Sequence, residues 1–315
     1  MKDDHTLLME AILGSNIPLI QKRLDSGCDI NSRDEYGESV LQSAVSALYD
    51  YKHKIAILEF LLDQGADFTL LDKDRTGPLS EAVLNMDTES LKLLLDRGAD
   101  PNAEAGFTNR ETLYDEAVDW YTYKHFRRFC LDDVIEADID DEHELYLEGL
   151  QKYAKDTNNP TPDHICLLRA YGAKFSYEIE ALERKQFLDE LNPELDVFTI
   201  HADEGIGDFL WQKDDGDTSS LVGGALISIG EKGTFCREMS DELLSDCCNW
   251  IEGYMNACMQ DELKDFNWNH FNEAGLSLAQ RLKNELGDRA RVFYSKAFED
   301  PTDDGASIEI GSARS

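Results

Sequence analysis

The chain has 315 residues, 65 of them acidic and 30 basic, so its formal net charge at pH 7 is −35. Residues 1–189 carry −19 and residues 190–315 carry −16. The negative electrostatic potential of such a chain disfavours binding to nucleic acid or anionic membranes and accelerates encounter with positively charged proteins. An acidic surface also serves simply to keep a protein soluble. The length and the 42% hydrophobic share allow about two folded domains.

Three segments near the start of the chain end in the same way. They are LDSGCDIN at 24–31, LDQGADFT at 62–69 and LDRGADPN at 95–102. Each follows an apolar stretch of helical period, which predicts helix-loop units that stack to bury their apolar faces. The shared glycine suits a left-handed residue that ends a helix without a Cβ clash. The spacing from Gly65 to Gly98 is 33, whereas that from Gly27 to Gly65 is 38.

An alanine recurs at a fixed distance before two of these glycines. The spacing from Ala11 to Gly27 equals that from Ala82 to Gly98, and both are 16. We expect each alanine on a first helix, where two helices pack too closely for a larger side chain. The spacing from Ala44 to its glycine is 21, so a surplus of five is expected between the helices of the second unit, around residues 49–54.

These segments resemble the ankyrin-repeat family. Parts of the family's Thr-Pro-Leu-His-x-Ala opening are present as Thr6 and Leu8 before Ala11, Ser39 and Leu41 before Ala44, and Pro78 and Leu79 before Ala82. The histidine is missing in all three units, so the local hydrogen bonding of the turn departs from the family pattern. The resemblance implies a stack of helix pairs whose first helices and connecting tips bind other proteins.

A fourth unit fits the pattern if a long insertion is allowed. Thr112, Leu113, Tyr114 and Ala117 match a first helix, and ICLLRAYGAKFS at 165–176 matches a second helix with its ending. The spacing from Ala117 to Gly172 is 55, against 16 in the first and third units. We therefore predict an α-solenoid of about four ankyrin repeats over residues 1–176, with an acidic insertion near 126–160.

The insertion has two interpretations. Its residues 131–148 contain nine acidic side chains and no lysine or arginine. These are Asp132, Asp133, Glu136, Asp138, Asp140, Asp141, Glu142, Glu144 and Glu148. The segment is either a solvated loop with a short helix near 141–155 or a docking element for a basic partner. Just before it, Trp120, Tyr121 and Tyr123 either pack beneath the insertion or form a binding hot spot.

The tips between units are the candidate partner-binding residues, because they make few contacts that the fold requires. They comprise Asp34, Glu35 and Tyr36, then Asp72, Asp74 and Arg75, then Phe107 and Arg110. The insertion adds Asp132, Asp133, Asp138, Asp140 and Asp141 to the set. An exposed Tyr36 or Phe107 would anchor a partner through its apolar surface.

The rest of the chain predicts a linker helix at 177–195, ending before Pro193, and a small α+β domain at 196–315. Strands at 206–212 and 221–229 form a hairpin around the turn residues Asp214, Asp215, Gly216 and Asp217. One helix follows the N-cap Ser240, and a second ends at Gly287 with Phe271, Leu278 and Leu282 on one face. Further strands are expected at 290–298 and 307–311.

Residues 266–294 resemble carboxy-terminal modules of bacterial proteins that are encoded beside secreted polymorphic toxins. The resemblance implies a cytoplasmic immunity protein that binds a cognate, basic toxin and neutralises it by occlusion. Two other functions stay open: an ankyrin scaffold that joins host proteins, and an enzyme in the carboxy-terminal domain.

Catalytic motifs are sparse. The sequence has no P-loop, Gly-x-Ser-x-Gly elbow or His-Glu-x-x-His motif, so we expect a non-enzymatic protein without cofactor or metal. His201 with Asp203 and Glu204 is a weak acid–base candidate, and His270 is weaker still. The seven cysteines lack metal-ligand spacing, and the amino-terminal segment lacks a secretory pattern. A cytoplasmic, reducing location is therefore expected.

Overall fold

The computed structural model describes residues 3–48, 51–104, 111–126, 143–203, 207–212, 224–228, 235–260, 263–303 and 305–311. The chain divides into two compact units, Met1–Glu178 and Ile179–Ser315. The described helices of the first unit are α1 (Asp4–Leu13), α2 (Ile17–Asp25), α3 (Val40–Ala47), α4 (Tyr51–Asp63), α5 (Pro78–Leu84), α6 (Thr88–Asp96), α7 (Leu113–Phe126), α8 (His143–Asp156) and α9 (Asp163–Ala170). Helix α10 (Ser176–Glu190) begins in the first unit and continues into the second.

The first unit is built from stacked helix pairs. Helix α1 packs on α3, α3 on α5 and α5 on α7, while α4 packs on α6 and α6 on α9. Each first helix presents one fully buried alanine to its neighbours, namely Ala11, Ala44, Ala82 and Ala117. The glycines that follow the second helices have positive φ angles of 90° to 94°, a backbone conformation that favours glycine. Both features agree with the predicted pattern.

Polar side chains cap the amino termini of four helices in the repeats. Asp3, Asn16, Ser39 and Asp87 each precede a helix and accept a hydrogen bond from a backbone N–H in its first turn. Such caps pair N–H groups that have no partner within the helix. They start the short helices α1, α2, α3 and α6, which have eight to ten residues.

We expected the five surplus residues of the second unit to lie between its two helices, around residues 49–54. Most of them instead belong to the second helix of that unit. Helix α4 has 13 residues where α2 and α6 have nine, so most of the surplus is an additional turn of helix. Lys54 lies in this turn and is only 4% exposed. Its Nζ pairs with Asp87 Oδ2 at 2.6 Å and donates to the Val45 carbonyl at 2.5 Å. Because Asp87 caps α6, the additional turn joins the second and third units.

An asparagine bridge connects neighbouring endings at two places. Asn31 donates to the Gly65 carbonyl at 3.4 Å and accepts from the Asp67 N–H at 2.9 Å. Asn102 repeats the arrangement, donating to Gly172 at 3.3 Å and accepting from the Lys174 N–H at 2.8 Å. The α7–α9 pair is therefore attached to the third unit as the second unit is attached to the first.

Replacing Asn102 by alanine is expected to destabilise the first unit by about 1–2 kcal/mol, because it removes the partner of the Lys174 N–H. Thr69 holds the equivalent position in the second unit, but among the described residues its hydrogen bonds go to Asp67 in its own ending. Thr69→Ala is therefore the control, with an expected loss below about 0.5 kcal/mol for an exposed site. Urea denaturation measures both variants, and equal losses would contradict a bridging role for Asn102.

The long insertion contributes helix α8, close to the helix predicted at 141–155. Glu144 and Glu148 lie on this helix. The other seven acidic residues of the segment 131–148, from Asp132 to Glu142, are outside the described residues.

The second unit contains a five-stranded sheet in the order β3-β2-β1-β4-β5. Its strands are β1 (Val197–Ile200), β2 (Asp208–Gln212), β3 (Gly224–Ser228), β4 (Arg291–Tyr294) and β5 (Ile308–Glu309). Strand β1 is parallel to β4, with Phe198 opposite Val292, and the other pairs are antiparallel. The predicted β2–β3 hairpin is present, although its acidic turn residues 214–217 lie outside the described residues.

Strand β1, the central strand of the sheet, was not predicted from the sequence. All four of its residues are buried, so the strand lacks the polar and apolar alternation that marks a strand with one face in water. The predicted strand at 290–298 is also shorter than expected, because β4 ends at Tyr294.

Two long helices, α11 (Asp241–Met259) and α12 (Trp268–Leu286), pack on this sheet and on each other. Ser240 caps α11, and Gly287 ends α12 with φ of 61°, as predicted. Phe271, Leu278 and Leu282 are buried together in the core of the unit. Among the helices that the structure describes, none combines the length and apolar character needed to cross a membrane.

Candidate partner-binding surface

The tip between the first and second units is shaped by Asp34. Its carboxylate accepts the backbone N–H groups of Tyr36 and Glu38, both at 2.9 Å. This local turn holds Tyr36 outward with 65% of its surface exposed. Asp34 therefore organises the backbone, while Glu35 and Tyr36 are available to a partner.

The next tip is organised in the same way by Asp72. Its carboxylate accepts the N–H groups of Asp74 and Thr76 at 2.9 Å, the Thr76 hydroxyl at 2.6 Å and the Gln42 amide at 2.7 Å. Burial alone would raise the pKa of Asp72. The hydrogen bonds from Thr76 and Gln42 have the larger combined effect, so the pKa of Asp72 is lowered. Asp74 and Arg75 are exposed, and Arg75 pairs with Glu104 at 2.7 Å.

The two tips form one continuous surface. The Lys73 ammonium donates to the Glu35 carbonyl at 2.6 Å, and the Lys73 N–H donates to the Tyr36 carbonyl at 3.1 Å. Arg33 also reaches across, donating to the Leu71 carbonyl at 2.6 Å. A partner that contacts one tip therefore meets the other in a fixed position.

A second acidic feature lies on the first helices, at the position directly before each buried alanine. That position is Glu10, Ser43, Glu81 and Glu116 in the four units. In the second unit Ser43 donates to Glu38 at 3.0 Å, so a carboxylate is present there as well. We name Glu10, Glu38, Glu81 and Glu116 the acidic row. This row is absent from the residues predicted above, although its fixed spacing to the alanines was a usable signal in the sequence.

The acidic row contains carboxylates in unfavourable surroundings. Burial raises the pKa of Glu81, and the nearby Glu38 and Asp72 carboxylates raise it further. Burial also raises the pKa of Glu116, with a smaller contribution from Glu111. One oxygen of Glu116 is buried and has no hydrogen-bond partner among the described residues. A cationic group at this surface would relieve both the repulsion and the missing contacts.

The aromatic residues of α7 divide between the two predicted roles. Tyr121 is fully buried and donates to the Pro160 carbonyl at 2.5 Å. Trp120 and Tyr123 are 40% and 66% exposed, and their rings stack at 6.3 Å. Tyr121 therefore packs into the core, whereas Trp120 and Tyr123 form an exposed aromatic pair.

Part of the predicted binding set cannot be placed. Phe107, Arg110, Asp132, Asp133, Asp138, Asp140 and Asp141 are all outside the described residues. Of the described members, Glu35, Tyr36, Asp74 and Arg75 are exposed, and Asp34 and Asp72 are half-buried within their turns.

The weak acid–base candidates His201 and His270 lie in different surroundings. His201 is 1% exposed, and burial lowers the pKa of its imidazole. Its ring faces Phe298 at 4.7 Å. His270 is exposed on α12, and Glu204 is outside the described residues. Within the described ranges, no three histidine, cysteine or acidic side chains are grouped as metal ligands would be.

Comparison with known proteins identifies part of this chain. Residues 8–105 match the family model for ankyrin repeats, in three copies. The ankyrin repeat domain-containing protein SAT10 of Stachybotrys chartarum is 40% identical over 99 residues, which are 31% of this chain and 5% of that protein. Human ankyrin repeat and SOCS box protein 6 is 31% identical over 105 residues, 31% of this chain and 24% of its own length.

A third relative, the ankyrin repeat, SAM and basic leucine zipper domain-containing protein 1 of Ovis aries, is 33% identical over 98 residues. That match covers 30% of this chain and 19% of the relative. The chain thus spans a quarter or less of the length of these relatives. The fourth unit lies beyond the matched residues, so its assignment as an ankyrin repeat stays a prediction.

Proposed function

Because residues 8–105 of this chain are ankyrin repeats, we propose that the first unit is a protein-binding module that captures a basic polypeptide. Ankyrin repeats indicate protein partners, and the acidic row is the observation that supports a basic one. In this proposal residues 1–176 are the binding domain, residues 177–195 a linker helix and residues 196–315 a separate α+β domain.

The tips and the acidic row have different roles in capture. The exposed carboxylates Glu35 and Asp74 speed the approach of a cationic surface, and the exposed ring of Tyr36 supplies apolar area that slows release. Glu81 and Glu116 then pair with lysine or arginine side chains of the partner. Pairing lowers their raised pKa values, so binding releases protons and tightens as the pH rises through the acid range.

The specific form of this function is immunity to a toxin. The resemblance of residues 266–294 to modules encoded beside polymorphic toxins supports it, as does the net charge of −35. The protein would act in the cytoplasm in a one-to-one complex that covers the toxin's active site or blocks its substrate. It would need no catalytic group of its own.

Co-purification with the product of the neighbouring gene tests this form. We expect the two proteins to form a stable complex at physiological salt, and we expect the toxin to be inactive in that complex. A neighbouring product that is not toxic, or one that elutes separately at that salt, would contradict it.

A scaffold that joins two proteins is the second candidate. The names of two relatives pair ankyrin repeats with another domain, a SOCS box in one and SAM and basic leucine zipper domains in the other. This chain also has a second compact unit. A scaffold binds two proteins at once, whereas an immunity protein is complete with one, so the stoichiometry of the isolated complex separates the two functions.

Glu81→Gln is expected to stabilise the fold and weaken binding. The raised pKa of Glu81 means that folding favours its protonated form, so this contribution to stability is present at low pH and is lost as the pH rises through the folded-state pKa. Glutamine imitates the neutral form at every pH. The variant should therefore unfold at higher urea than the parent at pH 7, and the difference should vanish below about pH 4, under the ordinary pKa of a glutamate.

The same substitution removes one attraction to a cation, so the Kd for a basic partner should rise about three- to tenfold. Equilibrium unfolding at pH 4 and pH 7, together with titration calorimetry, measures both effects. A glutamine variant that is less stable at pH 7 would show that the Glu81 charge supports the fold rather than the partner.

A further inference from the structure

A groove of about 530 Å³ lies between α11 and α12 in the second unit. Its aromatic lining consists of Trp250 and Phe266, which are half-buried, and of Tyr254 and Phe271, which are buried, and Asp246 and Arg281 lie at its polar edge. Its volume is within the range of ordinary binding pockets, about 300–1,000 Å³. The groove is contained in the second unit and is independent of the proposed function of the repeats.

The aromatic wall is held in place before anything binds. Trp250 stacks on Phe271 with ring centres 4.5 Å apart, and its indole N–H donates to the Phe271 carbonyl at 3.0 Å. Phe266 packs edge-on against Phe271 at 5.3 Å. A ligand therefore meets rings that are already ordered, which reduces the entropy lost on binding.

Two glycines on α11 and α12 differ in whether the surrounding packing requires a residue without a side chain. A Cβ on Gly275 of α12 would clash with Tyr294 and come within 2.8 Å of Trp250, so the packing of the chain itself requires glycine there. A Cβ on Gly253 of α11 would meet nothing within 4 Å. Gly253 lines the groove in the middle of a 19-residue helix, where glycine is less stable than alanine. Packing within the described residues gives no reason for this glycine, whereas an occupant of the groove would.

Charge on the two helices indicates the kind of occupant. Asp241, Glu242, Glu252 and Glu273 are exposed on them, whereas Asp246 and Arg281 line the groove itself. Arg281 is already engaged, with Asp246 at 2.6 Å and Glu242 at 3.4 Å. The two helices therefore carry mainly negative charge and the wall is aromatic, which suits an apolar side chain flanked by cations.

We propose that the groove between α11 and α12 binds a protein segment that inserts an aromatic or leucine side chain beside Gly253 and places lysine or arginine next to the surrounding carboxylates. A short amphipathic helix has this chemistry. The missing Cβ of Gly253 leaves the space into which the inserted side chain fits.

The test uses the full chain and two synthetic amphipathic peptides of equal length. Both carry phenylalanine and leucine at helical spacing, and one has lysines where the other has glutamates. We expect the lysine peptide to bind, with an affinity by titration calorimetry at least tenfold higher than that of the glutamate peptide. Equal affinity for the two peptides, or no detectable binding of the lysine peptide, would overturn the proposal.

Variants of Gly253 separate the groove from general attraction to an acidic protein. Gly253→Leu fills the groove and should weaken peptide binding at least tenfold. Asn256→Leu adds the same side chain at an exposed position of α11 outside the groove and should leave binding unchanged. Gly253→Ala should raise the melting temperature by a few degrees and still weaken binding. Unchanged peptide affinity in Gly253→Leu would show that the groove is not the binding site.

A small molecule is the other possible occupant, and indole serves as its probe. Indole binding that Gly253→Leu abolishes, without lysine-peptide binding, would assign the groove to small aromatic ligands and overturn the proposal. A failure of the repeats to capture a basic protein would not affect this result.

Discussion

Replacing Lys54 by methionine is expected to destabilise the first unit by about 3–5 kcal/mol, because it leaves the Asp87 carboxylate buried without its cation. The two side chains are only 4% and 2% exposed, so water does not take the place of the lost partner. Asp87 also caps α6, so a change in its position would destabilise the start of that helix in the third unit. Urea unfolding followed by circular dichroism gives the free energy of unfolding.

Lys92→Met is the matched control. Lys92 pairs with Asp96 at 2.6 Å, but the two side chains are 57% and 47% exposed. Exposed pairs of this kind contribute about 0.2–0.5 kcal/mol, so the control should remain close to the parent. The double variant Lys54→Met with Asp87→Asn should recover part of the loss, because it removes the unpaired charge and keeps an amide that can cap the helix. Equal stability of Lys54→Met and Lys92→Met would contradict the structural role of this pair.

Reversing charge in the acidic row is expected to abolish capture of a basic partner. Glu81→Lys with Glu116→Lys should raise the Kd at least about 100-fold, which is ~2.7 kcal/mol at 25 °C. Two attractions become repulsions at a partly buried surface, where salt screens charges less than it does in open water. Titration calorimetry at two salt concentrations measures the change and its salt dependence.

The control places the same two charge reversals on second helices. Glu59 on α4 and Glu89 on α6 are exposed, and their reversal leaves the acidic row intact while changing the net charge equally. Glu59→Lys with Glu89→Lys should weaken binding only a few-fold, through slower encounter. Similar losses in the two double variants would mean that net charge alone, and not the acidic row, selects the partner.

The repeats were readable from the sequence because each one contains its own signals. The glycine endings and the alanines of the first helices act within one unit, so spacing along the chain predicts them. The additional turn of α4 was not readable in this way. Its reason is the contact between Lys54 and Asp87, which belong to different units and which only the folded stack brings together.

In the second unit, too, local signals predicted the structure and contacts between distant segments did not. The caps of α11 and α12 follow from local residues, Ser240 and Gly287, and were predicted. Strand β1 was missed because its neighbours are β2 and the distant β4, and its buried residues carry no alternation. The acidic row depends on stacking as well, since Glu81 gains its raised pKa from burial and from carboxylates of other segments, Glu38 and Asp72.

Amide hydrogen exchange on the complex with a basic partner locates the surface of the repeats that the partner covers. On binding, exchange should slow at the tips, residues 34–38 and 72–76, and along the first helices α3, α5 and α7. It should change little on α2, α4 and α6. Protection confined to those second helices, or capture of an anionic partner in place of a basic one, would contradict capture of a basic polypeptide by the tips and the acidic row.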